Sequence, residues 1–322
     1  MKAFVTGAAG FIGTHLVEAL VRRGWRPRGF DLTPPAGAPS GSEFLRGDIE
    51  DLDGVRQAMR GSDAVFHLAS ALGGSLISKA EFFAINAAGT ENVLRAAREL
   101  GIKKTVHFSS VGVLGAVKDG DIADENYPPA PLTVYDRSKL RGEEFARQAA
   151  GEGLDVVVVR PGWVYGPRDR RSFKLIKAIA KRRFFLVAAG RGRQTPVHVG
   201  DLVEGAILCA ERGRRGEIYN IAGPRIMTVE EMCAHISRAL GTQIPRFNLP
   251  ALPAKAAASI LEAVYAPIKK EAPLTRGKLS FFLHSKPQSV EKAGRELGYS
   301  PQVDFAEGMA GSVAWYRENG WL

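Results

Sequence analysis

The sequence predicts an α/β fold, a doubly wound parallel sheet with a smaller, mostly helical C-terminal domain. Three observations carry this prediction. Strand-like and helix-like segments alternate through the first half of the chain. One strand, DVVVVR at 155–160, is a valine run, the pattern of a parallel strand buried on both faces. From Pro224 onward the alternation gives way to helices, loops and proline-rich turns.

The elements follow in order. KAFVT (2–6) is the first strand. FIGTHLVEALVRRG (11–24) has apolar residues at helical spacing and ends in Arg-Arg-Gly, a helix stop. RPRGF (26–30) is the second strand and TPPAGAPSGS (33–42) a loop. DLDGVRQAMRG (51–61) reads as helix, AVFHLAS (64–70) as strand, AEFFAINAAGTENVLRAARELG (80–101) as one long helix and KTVHFSS (104–110) as strand. The polar stretch LTVYDRSKLRGEEFARQAA (132–150) follows as a helix. Between 161 and 196 the pattern loosens into Gly/Pro-rich and basic segments. PVHVGDLVEGAILCAE (196–211) and EIYNIAG (217–223) then return to the sheet. The expected division is 1–165 with 197–223 against 166–196 with 224–322.

Of the 322 residues, 45% are hydrophobic and 24% charged, which excludes a disordered chain. The two cysteines, Cys209 and Cys233, form no CxxC and no metal-ligand spacing. That predicts a reducing, cytoplasmic setting with neither disulfide framework nor bound metal. MKAFVTG runs straight into structure, so no signal peptide is expected, and no apolar run reaches spanning length. The net charge of +10 is gathered partly in basic runs at 168–171, 181–183 and 212–215. With no aromatic interleaving and no nucleic-acid module around them, they read as solvated surface, and no nucleic-acid partner is expected.

Two patterns point to chemistry. VTGAAGFIG (5–13) follows the first strand and opens the first helix, with Gly7, Gly10 and Gly13 spaced GxxGxxG. Glycines there permit a tight turn and close approach of a pyrophosphate to backbone, and the helix N-terminus favours the phosphate charge. This is the dinucleotide turn of a Rossmann fold. Asp31, at the end of the second strand, suits an adenosine ribose and repels a 2′-phosphate, favouring NAD over NADP. Arg26 and Arg28 argue the other way. The second pattern is Tyr135 and Lys139, which share a helix face at i and i+4. An ammonium beside a phenol lowers the phenol pKa, making it useful as an acid or base.

TGAAGFIG (6–13), GDIED (47–51), VFHLAS (65–70), NAAGTENVLRAA (86–97), HFSSVGVLG (107–115), YDRSK (135–139), RPGWVYGPRD (160–169), PVHVGDLV (196–203) and YNIAGP (219–224) together resemble the extended short-chain dehydrogenase/reductase family, also called the NAD-dependent epimerase/dehydratase family. The resemblance covers nearly the whole chain. It implies an NAD-dependent enzyme with Tyr135 as general acid/base, Lys139 on the nicotinamide ribose and Ser110 on the reacting oxygen. Ser109 is the adjacent alternative to Ser110. The implied cofactor contacts add Phe11 and Ile12 of the glycine turn, and Asp48 and Ile49 beside the adenine. Leu68, Ala69 and Ser70 follow along the cofactor, with Ser109 and Pro161 completing the set. Asn86 is either a cofactor neighbour or a buried helix residue. A homodimer through the helices at 80–101 and 132–150 is also implied. Relatives that only sense redox state usually lack the Tyr or the Lys, and both are present here.

Family membership does not choose the substrate. Members that act on nucleotide sugars typically carry Asn where this chain has Trp163 and Arg where it has Gln194. The apolar helix LPALPAKAAASILEAVYAPI (249–268), with KLSFFLH (278–284), EAPLTR (271–276) and the end of the chain, resembles members similar to bacterial 3β-hydroxysteroid dehydrogenases. The expectation is hydride transfer between NAD and an apolar or sterol-like secondary alcohol or ketone. A UDP-sugar 4-epimerase that retains NAD is the alternative. The 249–268 helix can serve as core, lid or peripheral contact with a membrane.

Overall fold

The computed structural model describes residues 1–35, 37–72, 77–243, 247–265, 267–268 and 272–322. Ala266 of the apolar helix and Glu271 of EAPLTR lie outside the described residues.

The elements in chain order begin β1 (Lys2–Thr6), α1 (Phe11–Arg22), β2 (Arg26–Asp31), β3 (Glu43–Arg46), α2 (Leu52–Met59), β4 (Ala64–His67) and α3 (Lys79–Phe83). A π-helical stretch, Ala84–Ala88, joins α3 to α4 (Gly89–Glu99). Then come β5 (Lys104–Phe108), α5 (Val134–Gly151), β6 (Val156–Pro161), β7 (Trp163–Tyr165), α6 (Arg170–Ala180), β8 (Leu186–Val187) and β9 (Arg193–Gln194). The chain continues with β10 (Pro196–His198), α7 (Val199–Arg212), β11 (Ile218–Ile221), β12 (Met227–Thr228), α8 (Val229–Leu240), β13 (Asn248–Leu249), α9 (Ala251–Tyr265), α10 (Arg276–Leu283), α11 (Glu291–Leu297) and α12 (Phe305–Glu318).

Seven strands form the main sheet in the order β11-β6-β5-β4-β1-β2-β3. Every neighbouring pair is parallel. The order reverses at β1 and β4, so a crevice opens at their C-terminal ends, where open α/β sheets bind ligands. Burial follows the sequence pattern. Every residue of β4 and β6 is buried, because helices cover both faces of the sheet. One core layer joins α1 and α7 to the sheet around Leu16, Leu20, Phe66, Val159 and Leu202. The opposite layer packs α2, α4 and α5 around Val55, Met59, Val93, Leu94 and Ala146. A third core of Tyr165, Ile176, Ile179, Met232, Ile236, Met309 and Tyr316 links β7 to α6, α8 and α12 outside the main sheet.

Three features differ from the sequence reading. The residues of β3, to which the sequence reading assigned no element, form an edge strand. The long helix at 80–101 is interrupted by the π-helical stretch around Asn86. The basic, loosely patterned region contains a regular helix, α6, whose N-cap Asp169 accepts from the amides of Arg171 and Ser172.

Candidate active site

The glycine turn is shaped by contact as well as by conformation. Gly7 has φ +69, and a β-carbon on it would lie 2.7 Å from the amide nitrogen of Ala69. A β-carbon on Gly13 would lie 2.1 Å from the Gly7 carbonyl oxygen. β1, α1 and the segment after β4 therefore meet backbone to backbone. Gly10 is the N-cap of α1, and no side chain caps that end. The first amides of the helix, from Phe11 to Gly13, are free of a capping group and point where phosphate oxygens fit.

Asp31 stands beside this turn, its Oδ2 accepting from the Ala9 amide at 3.0 Å. Arg26 and Arg28, which the sequence set against it, lie away from the crevice. Arg26 begins β2 at the opposite end of the sheet, and Arg28 binds Glu43 and the carbonyls of Ala58 and Arg60. Asp48 is exposed, whereas the Ile49 side chain is buried against α4 and its carbonyl accepts from Asn92 Nδ2 at 3.0 Å. Leu68, Ala69 and Ser70 are half-buried at the end of β4, and Pro161 is buried at the end of β6.

Asn86 is held inside the fold, as the buried-helix alternative has it. Its Oδ1 accepts from Ser70 Oγ and the Ala71 amide, and its Nδ2 donates to the Ala71 carbonyl and Ser138 Oγ. The amide is fully engaged and the residue is 0% exposed, so it braces the β4 loop against α5. Ser70 binds inward to the same amide.

The reactive set is assembled by two turns. Thr133 caps α5 in a capping box with Asp136, which fixes Tyr135 in the first turn of the helix. Ser110 caps the short turn after β5, its Oγ accepting from the Gly112 amide at 3.0 Å. Gly112 lies so close to α5 that a β-carbon would come within 2.0 Å of Asp136 Oδ1. That approach brings the Ser110 hydroxyl near enough to Tyr135 to influence its phenol. Phe82 meets the Tyr135 ring edge-on at 6.3 Å.

Burial pushes the Tyr135 phenol above its usual value. The Arg171 guanidinium and the Ser110 hydroxyl pull it back, and Asp136 raises it further. The expected lowering by Lys139 is not among these influences. In the chain alone, desolvation of the phenolate outweighs the cations around it. Lys139 is 2% exposed and has no hydrogen-bond or ion-pair partner among the described residues. Burial pulls its ammonium down to about 8, against an upward pull from Glu143. An ammonium this buried and unpartnered keeps its three donors free for a bound hydroxyl or other acceptor.

Ser109, the alternative to Ser110, points elsewhere. Its hydroxyl donates to Glu143 Oε2 at 2.6 Å inside a buried cluster. There Arg160 grips Glu143 with two bonds, 3.0 Å from Nε and 2.5 Å from Nη2. Ser109 is therefore a support beneath the site, not a group that reaches it.

Of the two residues read as substrate contacts, Trp163 is half-buried in an aromatic cluster. Its ring stacks on Tyr165 at 6.0 Å and meets Phe281 of α10 at 5.5 Å. Gln194, the second, lies inside the fold. It is 3% exposed, and its Nε2 donates to the carbonyls of Phe281 and His284, so it secures α10. Arg171 belongs to the basic run at 168–171, which the sequence offers as a diphosphate holder in the epimerase alternative. It stands exposed in the first turn of α6, and its charge is felt at Tyr135.

Residues 3–222 match the NAD dependent epimerase/dehydratase family. The chain is 32% identical to a 4-hydroxy-2-methyl-3-oxo-4-farnesyl-3,4-dihydroquinoline-1-oxide ketoreductase from Stigmatella aurantiaca, over 96% of this chain and 95% of that one. Its structure is similar to the dTDP-glucose 4,6-dehydratase DesIV from Streptomyces venezuelae, solved with NAD and TYD bound. The TM-score is 0.82 at 29% identity, over 100% of this chain and 98% of that one. It is also similar to a UDP-glucose 4-epimerase from Thermus thermophilus in complex with NAD. There the TM-score is 0.81 at 28% identity, over 98% of this chain and 99% of that one. A match of this extent means that the chain belongs to the NAD dependent epimerase/dehydratase family and is an NAD-dependent enzyme.

Proposed function

We propose that the protein reduces an apolar, ring-bearing ketone to a secondary alcohol, or runs the reverse reaction, in the manner of members similar to 3β-hydroxysteroid dehydrogenases. The observation that carries this is Trp163. An aromatic wall of Trp163, Tyr165 and Phe281 stands where nucleotide-sugar enzymes typically place a polar Asn. The relative from Stigmatella aurantiaca, named for a farnesylated ketone, supports the same chemistry.

NAD, when bound, supplies or accepts the hydride. Asp31 and the first amides of α1 hold the adenosine and phosphate end. Lys139 holds the nicotinamide ribose. Tyr135 Oη exchanges the proton of the reacting oxygen, and Ser110 Oγ orients that oxygen. Burial keeps Tyr135 in the phenol form, which is the form that ketone reduction requires. In this reading residues 1–165 and 197–223 bind NAD, and 166–196 and 224–322 bind substrate.

One observation favours the alternative, a UDP-sugar 4-epimerase with retained NAD. The Arg171 charge is felt at Tyr135, so an anionic substrate would find a cation at the reacting centre. The test is NADH absorbance with purified protein and a soluble 3-ketosteroid or 3β-hydroxysteroid, with Tyr135→Phe as control. Net NADH turnover that the variant loses supports the proposal. No net turnover, with NAD retained through purification and UDP-sugar interconversion, supports the epimerase.

The cytoplasmic homodimer belongs to the same proposal. Its expected faces on α4 and α5 carry exposed Arg95, Arg98, Arg141 and Glu144, so any such contact is polar. A monomeric mass by light scattering would remove the dimer.

A further inference from the structure

We propose that α9 docks the protein on an anionic bilayer surface, from which the apolar substrate of the proposed reductase is drawn. The inference rests on that reading for the substrate, but the docking surface stands on its own geometry.

α9 is apolar on two sides. Ala254 and Ala258, both 0% exposed, pack inward with Leu279 and Val187. On the opposite side Leu252, Ala256, Ile260 and Val264 recur every fourth residue, so they form one ridge along the helix. Ile268, just beyond the helix end, is also exposed. Leu252, Ile260 and Val264 are 79%, 63% and 59% exposed. Isolated exposed apolar residues are ordinary on a protein surface, but a continuous ridge of them is not.

Charge identifies the occupant. Within α9 the two charged residues are Lys255 and Glu262, and Glu262 is paired with Arg276 at 2.9 Å. The exposed run Lys181-Arg182-Arg183 leads into β8, which pairs with β13 immediately before α9. The chain that leads to the start of the ridge is therefore basic, as an anionic headgroup layer requires. An apolar stripe with basic neighbours lies in the interface plane. Among the described residues no helix is long and apolar enough to cross a membrane.

The location suits delivery. α10 lies between α9 and the aromatic wall, with Leu279 and Phe282 packed in the α9 core and Phe281 against Trp163. The ridge is thus one helix away from the proposed substrate surface.

The test is flotation of the full chain with vesicles of phosphatidylcholine alone and of phosphatidylcholine with phosphatidylglycerol, beside light scattering. The expected result is binding to the anionic vesicles, weakened by salt. The double variant Ile260→Glu with Val264→Glu should partition about a hundredfold more weakly. Its melting temperature and its turnover of a water-soluble ketone should stay unchanged. Absence of binding to either vesicle overturns the proposal, as does binding that the double variant retains. A dimer split by that variant, with no vesicle binding, would assign the ridge to a second copy and also overturns it. Vesicle binding without ketone turnover would leave the docking surface intact and remove the reductase reading alone.

Discussion

Glu143, one helical turn beyond Lys139 on α5, pulls the Lys139 ammonium up against the burial that pulls it down. Glu143 is itself fixed, with Arg160 on both carboxylate oxygens and Ser109 on one of them. The charge beneath the site is therefore part of a rigid buried cluster that lies outside the reacting groups.

A pH dependence follows from this arrangement. Lys139 carries its proton below about 8 and loses it as the pH rises through that value. NAD affinity, read by tryptophan fluorescence, should fall on the alkaline side. Glu143→Gln removes the opposing charge, so the fall should begin at lower pH. It also leaves the buried Arg160 without its counter-ion, a loss of about 3–5 kcal/mol of stability, which a urea titration would show. Ser109→Ala keeps the carboxylate charge and should leave the pH profile in place. An identical profile in Glu143→Gln would sink the coupling.

The second prediction concerns the turn. Gly7→Ala places a β-carbon 2.7 Å from the Ala69 amide nitrogen, on a backbone with φ +69. Neither side of that contact is a flexible side chain. The expected outcome is loss of NAD binding together with a stability cost of about 1–3 kcal/mol. Gly24, also at positive φ, has nothing near its β-carbon position. Gly24→Ala should therefore cost some stability and leave NAD affinity unchanged.

The third prediction separates positioning from contact at Gln194. Gln194→Leu keeps most of the volume but leaves the Phe281 and His284 carbonyls without their donors. A cost of about 1–3 kcal/mol is expected. Because Phe281 backs Trp163, KM for an apolar ketone should rise while kcat changes little. A change confined to kcat would instead place Gln194 at the reacting centre.

Much of the site was legible because it depends on spacing along the chain. The strand, glycine turn and helix from Lys2 to Arg22 are local, and so are Tyr135 and Lys139 on one helix face. What escaped depends on partners far apart in sequence. Asn86 and Gln194 are polar residues of the right type near the right motifs, yet their amides are engaged by Ala71, Ser138 and α10. Ser109 and Ser110 are adjacent and chemically identical, and only the strand end decides which faces Glu143 and which faces Tyr135. In the fold, β3 and the short strands β8, β9, β12 and β13 are too brief to show alternation. α6 does carry helical spacing at Phe173, Ile176 and Ile179, but its arginines and lysines obscured it.

The last prediction lies under the sheet. His67 is buried with Thr6 and Thr90 on its two ring nitrogens, and it stacks on His107 at 5.3 Å. Burial is the largest influence on both, followed by the nearby Lys139 charge; His67 falls to about 3, and His107 lies well below its usual value. The unfolded chain binds a proton at each imidazole near 6.5, and the folded chain excludes it. Stability is therefore complete above that pH and declines as the pH falls below it. For His67 alone the decline between pH 6.5 and pH 5 is about 2 kcal/mol. Urea midpoints measured across that range should show it, with His107 adding to the slope. His67→Gln keeps a polar group between the two threonines but cannot titrate, so the slope should shrink to the His107 share. A variant as acid-sensitive as the parent would mean that carboxylates elsewhere set the acid limb.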